Sequence, residues 1–127
     1  MSTPFLGLRT AAYRVGDRLP QAKLWYERVL GFAPYFDEPF YVGFNVGGYE
    51  LGLQPDDQGP EPAKATGVAM YWGVEKCAEA YERLLALGAS PGEPPQEVGG
   101  GIIVASVRDP FGNLLGVIEN PHFKLPG

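Results

Sequence analysis

The chain has 127 residues, enough for one domain or for two small repeats that share a core. Its 45% hydrophobic content is that of a folded protein and sets disorder aside. A net charge of −5 weighs against non-specific nucleic-acid binding and against an anionic membrane surface, and no apolar run approaches the roughly 20 residues of a membrane span.

In chain order, Leu8 to Val15 reads as a strand, broken by Gly16-Asp17, with Asp17 placed to cap a helix. That helix runs from Leu19 to Leu30, with Pro20 tolerated in its first turn. Leu19, Ala22, Tyr26, Val29 and Leu30 form its apolar stripe, and Gly31 stops it. A short strand is expected over Phe32 to Phe36, a third over Phe40 to Val46 and a fourth over Tyr49 to Leu53. Gly47-Gly48 makes the two-residue turn between the last two. The polar, proline-bearing stretch from Gln54 to Thr66 reads as a linker.

A second series follows. Gly67 to Val74 is expected as a strand and Lys76 to Leu87 as a helix ended by Gly88. Ser90 to Gly101, rich in proline and glycine, reads as a loop with one irregular edge strand. Val104 to Glu119 then reads as a hairpin. Asp109-Pro110 opens its turn, Gly112-Asn113 supplies the positive φ that closes it, and Arg108-Asp109 is expected to pair there. Asn120 to Gly127 is a tail.

The two helices carry similar text, Tyr26-Glu27-Arg28-Val29-Leu30 and Tyr81-Glu82-Arg83-Leu84-Leu85. Each follows a strand ending in valine, with Val-to-Tyr spacings of 11 (26−15) and 7 (81−74) residues, a difference of about one helical turn. The element order, strand–helix–three strands, occurs twice, which reads as a duplication.

This order resembles that of the vicinal oxygen chelate superfamily, which includes glyoxalases, bleomycin-resistance proteins and extradiol dioxygenases. The residues that carry the resemblance are Val15-Gly16-Asp17, Trp25-Tyr26 and Val29-Leu30-Gly31-Phe32 early, and Asp109-Pro110-Phe111-Gly112-Asn113 late. The resemblance implies an α+β fold in which two βαβββ modules form a curled mixed sheet around a cavity, helices outside, in one glyoxalase-like domain. Module 1 would cover about 6–54, the linker about 55–66 and module 2 about 67–121. It also implies a homodimer.

The strand period of two sorts the side chains between faces. Phe40, Val42, Phe44 and Val46, with Tyr49, Leu51 and Leu53, make one apolar face that belongs under a helix. Tyr41, Gly43, Asn45, Glu50 and Gly52 fall on the other. Ala11, Tyr13 and Val15 face a helix, leaving Thr10, Ala12 and Arg14 inward. Val68, Met70, Trp72 and Val74 do the same, leaving Ala69 and Tyr71 inward. Leu115 and Val117 leave Leu114, Gly116 and Ile118 inward. The expected cavity residues are therefore Thr10, Arg14, Tyr41, Asn45, Glu50, Ala69, Tyr71 and Gly116. The small residues Gly43, Gly52, Ala69 and Gly116 point to empty space between the walls.

Metal-dependent members of the resembled superfamily place four ligands, usually His and Glu, on four central strands. Those positions fall on Thr10 (17−7), Glu50, Ala69 (74−5) and Gly116 (109+7). Only Glu50 has a side chain that suits a first-row ion, which needs three or four N, O or S donors. His122, the only histidine, belongs to the tail. No metal and no other cofactor is therefore expected, and a divalent metal is the alternative. Glu50 remains as a general base of raised pKa, as the anchor for a cationic ligand, as the partner of Arg14, or as the residual ligand of a lost metal site. Gly99-Gly100-Gly101 lacks the Lys-Ser/Thr of a phosphate loop. Cys77, the only cysteine, has no histidine nearby in sequence and reads as a packed thiol. With no disulfide to form and no signal-like apolar opening, a cytoplasmic setting is expected.

The function expected from this is the binding of a flat or cationic small molecule in a metal-free cavity. The alternative is a lyase, isomerase or dioxygenase of the same superfamily using Glu50, and a third reading is a partner-binding protein with a filled cavity. No nucleic-acid or membrane partner is expected.

Overall fold

Alternating burial marks the first strand. In β1 (Thr10–Arg14) Ala11 and Tyr13 are buried while Thr10, Ala12 and Arg14 are exposed, as the strand period requires. The structure, a computed structural model, describes residues 8–55 and 69–122. It divides into two compact units, Met1–Pro62 and Ala63–Gly127.

In the first unit Gly16, at φ 64°, turns the chain out of β1, and the Arg18 amide donates to Val15 O at 3.1 Å. Helix α1 (Leu19–Leu30) follows, with proline in its first turn, where a missing N–H leaves no bond unmade. The cap position is Arg18 and not Asp17, and no side chain caps it. The reason is local: Asp17 lies inside the turn closed by the Arg18 amide on Val15 O, and the first helical bond runs from the Ala22 amide to Arg18 O at 2.9 Å. Leu19, Ala22, Trp25 and Tyr26 are the buried stripe, and α1 packs on the third and fourth strands. Gly31, left-handed at φ 86°, donates its N–H to Glu27 O and ends the helix.

The remaining strands are β2 (Phe36–Glu38), β3 (Tyr41–Val46) and β4 (Tyr49–Gln54). Their order is β1-β4-β3-β2, with β1 parallel to β4 and the other neighbours antiparallel. Gly47 and Gly48, at φ 61° and 94°, form the turn that suits a two-residue hairpin. Two expectations are corrected here. The second strand starts at Phe36, not Phe32, because Pro34 has no N–H for the ladder; the first bond to β3 comes from the Tyr35 amide to Gly43 O. Phe40 lies before β3 and is 66% exposed, so it leaves the apolar face to Val42, Phe44, Leu51 and Leu53. Those four and Tyr26 are almost wholly buried, each worth about 1.5–3 kcal/mol relative to exposure.

The second unit holds β5 (Tyr71–Gly73), α2 (Cys77–Ala86), β6 (Ser90–Pro91), β7 (Gln96–Gly99), β8 (Ile102–Arg108) and β9 (Leu114–Glu119). Its order is β5-β9-β8-β6, with β7 also on β8 and β5 parallel to β9. Both units thus set their first strand parallel to their last. Where the first has β2, the second has two short strands instead of the single one expected, split by Gly92-Glu93-Pro94-Pro95. The strand expected over Gly67 to Val74 contracts to Tyr71–Gly73; residues 67 and 68, Val68 among them, lie outside the described residues. Helix α2 lacks a cap from Lys76. Instead Glu119, from β9, accepts the Cys77 amide at 2.9 Å. The Cys77 thiol is buried, and burial first, then the Glu119 charge, pushes its pKa up, which makes it the packed thiol the sequence implies.

At the β8–β9 turn Asp109 Oδ1 accepts the amides of Phe111 and Asn113 at 2.9 and 2.8 Å. Gly112 has the positive φ, 93°, and Asn113 does not. Arg108 donates to Gly112 O rather than forming the expected turn pair through its neighbour's carboxylate, which the backbone occupies. Among the described residues no helix is long and apolar enough to cross a membrane.

Candidate functional site

Strand register assembles a cluster on the face of the first sheet that turns away from α1. Thr10 of β1 pairs with Glu50 of β4, and Asn45 of β3 pairs with the same residue from the other side. Gly43 pairs with Gly52. Above them Glu50 Oε1 accepts from Thr10 Oγ1 at 2.7 Å and from the Tyr41 hydroxyl at 2.7 Å. The Tyr35 hydroxyl donates to Glu50 Oε2. Tyr35 is set in place by its own amide, bonded to Gly43 O at 3.0 Å.

The glycines do not open empty space, as their size alone suggests. A Cβ on Gly52 would lie 1.8 Å from the Tyr41 hydroxyl oxygen, and one on Gly43 would lie 2.7 Å from Glu50 Oε2. Each glycine makes room for a ring or a carboxylate lying flat on the sheet.

These contacts fix the charge states. The Tyr35 hydrogen bond, foremost, holds the Glu50 carboxyl below its ordinary pKa; desolvation opposes it, and the bonds from Tyr41 and Thr10 add to it. Tyr35 is pushed up, mainly by its bond to Glu50, and Tyr41 mainly by burial. The group is therefore one ionised carboxylate among protonated hydroxyls. The raised pKa expected for Glu50 is not found, because three donors favour the charged form more than partial burial disfavours it.

A cavity of about 330 Å³ opens beside Glu50, walled by Arg9, Thr10, Tyr35, Asn45, Glu50 and the Gly48–Tyr49 turn. Thr10, Asn45 and Glu50 were expected there, and Tyr41 joins them through its hydrogen bonds. Arg14 sits at the other end of β1, across from Gln54; the partners of Glu50 are hydroxyls. Ala69, Tyr71 and Gly116 belong to the second unit. There the residue paired with Gly116 is Tyr71, not Ala69, which precedes β5. A Cβ on Gly116 would lie 2.7 Å from the Tyr71 ring. Tyr35, Arg9 and Tyr49 were missed. Tyr35 falls before its strand, where no periodicity aims its side chain, although Pro34 marks the later start. Tyr49 ends the hairpin, where the two faces are no longer separated. His122 contacts Gly100 O at 2.7 Å, a tail contact.

A first-row ion needs three or four donors. Glu50 already accepts three O–H donors, and Gly116 offers no side-chain donor. Among the described residues no three His, Cys, Asp or Glu side chains gather. The described residues around Glu50 do not fit a metal ion.

The family model for the Glyoxalase/Bleomycin resistance protein/Dioxygenase superfamily matches residues 8–117. The chain belongs to that superfamily. Solved members share its fold. A glyoxalase-related enzyme from Fulvimarina pelagi is 22% identical, with a TM-score of 0.74 over 96% of this chain and 94% of its own. Lactoylglutathione lyase from Agrobacterium tumefaciens is 24% identical, with a TM-score of 0.69 over 95% and 100%. A superfamily member from Sphaerobacter thermophilus is 23% identical, with a TM-score of 0.70 over 91% and 98%. Among curated proteins none matches this sequence. The superfamily's α+β architecture agrees with the two mixed sheets described above, and at these identities the likeness speaks for fold alone.

Proposed function

We propose that this superfamily member binds a small organic molecule in the cavity beside Glu50, with the ionised carboxylate as anchor and without a metal ion. The observation that carries the reading is the carboxylate held charged by Thr10, Tyr35 and Tyr41 at the wall of that cavity. Its volume lies at the lower end of the roughly 300–1,000 Å³ typical of small-molecule sites. Aromatic and amide walls around one charge suit a ligand with an apolar body and one polar end.

The enzyme reading, with Glu50 as general base of a lyase or isomerase, is weaker. A carboxylate of lowered pKa is a poorer base than an ordinary one. We take the protein to act in the cytoplasm, as a homodimer; light scattering at several concentrations tests the dimer.

Isothermal titration of a fragment panel against the wild type and Glu50→Gln tests the proposal. Saturable binding by at least one fragment, weakened about tenfold or more in the variant, is expected. Elemental analysis of untagged protein runs beside it. A stoichiometric transition metal, or equal affinities for both proteins, overturns the proposal.

A further inference from the structure

Counting protons over the cluster shows what its outer surface can recognise. Thr10, Tyr35 and Tyr41 each have one hydroxyl proton. Tyr35 donates to Glu50 Oε2, and Thr10 and Tyr41, whose hydroxyl oxygens lie 3.3 Å apart, share Oε1, so all three protons stay inside the cluster whichever of that pair donates to the other. What the hydroxyls turn away from the carboxylate is therefore oxygen lone pairs only. Each lone pair is made more basic by donation to an anion, since hydrogen bonds in series polarise one another. The Asn45 side-chain oxygen is likewise engaged, by the Gly48 amide at 2.8 Å.

The cluster itself thus has one negative charge and several acceptors. Its three hydroxyl oxygens have no second proton to donate. An anion is repelled by Glu50, and neither it nor a carbonyl finds a donor among these three hydroxyls; the donors elsewhere on the wall are Arg9, the Asn45 amide and the Tyr49 hydroxyl. A metal ion finds a carboxylate whose oxygens are already engaged. A quaternary ammonium meets the charge and the rings but has no N–H for the oxygens. A protonated amine satisfies both, with up to three donors spread over neighbouring oxygens. Arg9, on the same cavity wall, repels a second positive centre and so weighs against a polyamine.

We infer that the head group seated at the Thr10–Tyr35–Tyr41–Glu50 cluster is a single N–H-bearing organic cation, a protonated primary or secondary amine with an apolar body. This inference rests on the proposed small-molecule site and specifies its ligand class.

Four probes of one shape test it by isothermal titration and ¹H–¹⁵N NMR at neutral pH: benzylamine, benzyltrimethylammonium, benzyl alcohol and benzoate. Benzylamine is expected to bind most tightly, by about tenfold over its quaternary analogue, with shifts at the Thr10, Asn45 and Glu50 amides. Glu50→Gln should abolish the preference. Tyr35 is exposed, so Tyr35→Phe can be made without touching the core; it should weaken benzylamine and leave benzyltrimethylammonium unchanged. Binding of the quaternary ion, alcohol or benzoate at least as tightly as the amine overturns the inference while leaving the small-molecule reading in place. If none of the four binds and the wider fragment panel also fails, both fall. If the panel yields a ligand without an N–H cation at these amides, the inference alone falls.

Discussion

Replacing Gly52 by alanine tests whether the glycines on this face shelter side chains or open a void. The new Cβ would lie 1.8 Å from the Tyr41 hydroxyl oxygen, 2.5 Å from Cζ and 3.1 Å from Cε1. Neither the bond from Tyr41 to Glu50 nor the ring position survives that overlap. Gly52 is not among the glycines of positive φ, so alanine brings no backbone strain and restricts the unfolded chain, a gain of about 0.4–1 kcal/mol. Against this stands a hydrogen bond to a charged group, about 1.5–3 kcal/mol, and the overpacking of a half-buried ring, about 1–3 kcal/mol. The balance is a loss of about 1.5–5.6 kcal/mol, and a drop on the order of 10 °C in Tm for a chain of this size. Urea unfolding followed by circular dichroism measures it. The same substitution in a Tyr41→Ala background should be neutral or stabilising, because the obstructing ring is gone; the difference is the coupling between the two sites. If Gly52→Ala is neutral or stabilising with Tyr41 present, the glycine faces open space and the account of the site is wrong.

Other outcomes follow from the charge state of Glu50. Its folded pKa is depressed, so its contribution to stability is present above the unfolded carboxylate value and fades as pH falls through the folded one. The stability difference between the wild type and Glu50→Gln should accordingly shrink as pH falls below the ordinary carboxylate range; a difference that grows with acid contradicts the assignment. In ¹³C NMR titrations of the Glu50 carboxyl, Tyr35→Phe should raise its pKa more than Thr10→Val, following the order of their effects. Equal or reversed shifts would show that Tyr35 is not its main donor.

Much of the architecture was legible because it rests on local periodicity. The bounds of α1 follow from Pro20, the apolar stripe and Gly31, all within one segment. The β3–β4 hairpin follows from Gly47-Gly48 between two alternating runs. Faces were legible for the same reason, since Thr10, Asn45 and Glu50 could be placed together from alternation alone. What was not legible depends on partners distant in sequence. The ionisation of Glu50 is set by hydroxyls 40, 15 and 9 residues away, and no spacing rule predicts that three donors converge on one carboxylate. The start of β2 depended on one missing N–H at Pro34. The glycines were read as absences of side chain, which in a sequence is all they are; only the fold shows whose ring lies over them.

The two units share a backbone arrangement and differ in the side chains set on it. In both, the first strand lies parallel to the last, and an amide of the last strand donates to the residue before the paired position: Glu50 N to Arg9 O, and Gly116 N to Met70 O. Thr10 with Glu50 and Tyr71 with Gly116 are therefore counterparts. The backbone offers the same platform twice, yet the side chains differ in kind. One platform holds a small hydroxyl residue beside a carboxylate, and the other has an aromatic ring laid across a glycine. Both units lay a ring over a glycine, Tyr41 over Gly52 and Tyr71 over Gly116, but only the first adds a charge to it. Keeping an ionised carboxylate partly buried is unfavourable unless donors surround it, and the first unit supplies three of them. Three donors gathered on one carboxylate in the first unit, where the counterpart pairing of Tyr71, Gly116 and Ser106 has no charged group, are what supports the proposal of ligand recognition at Glu50.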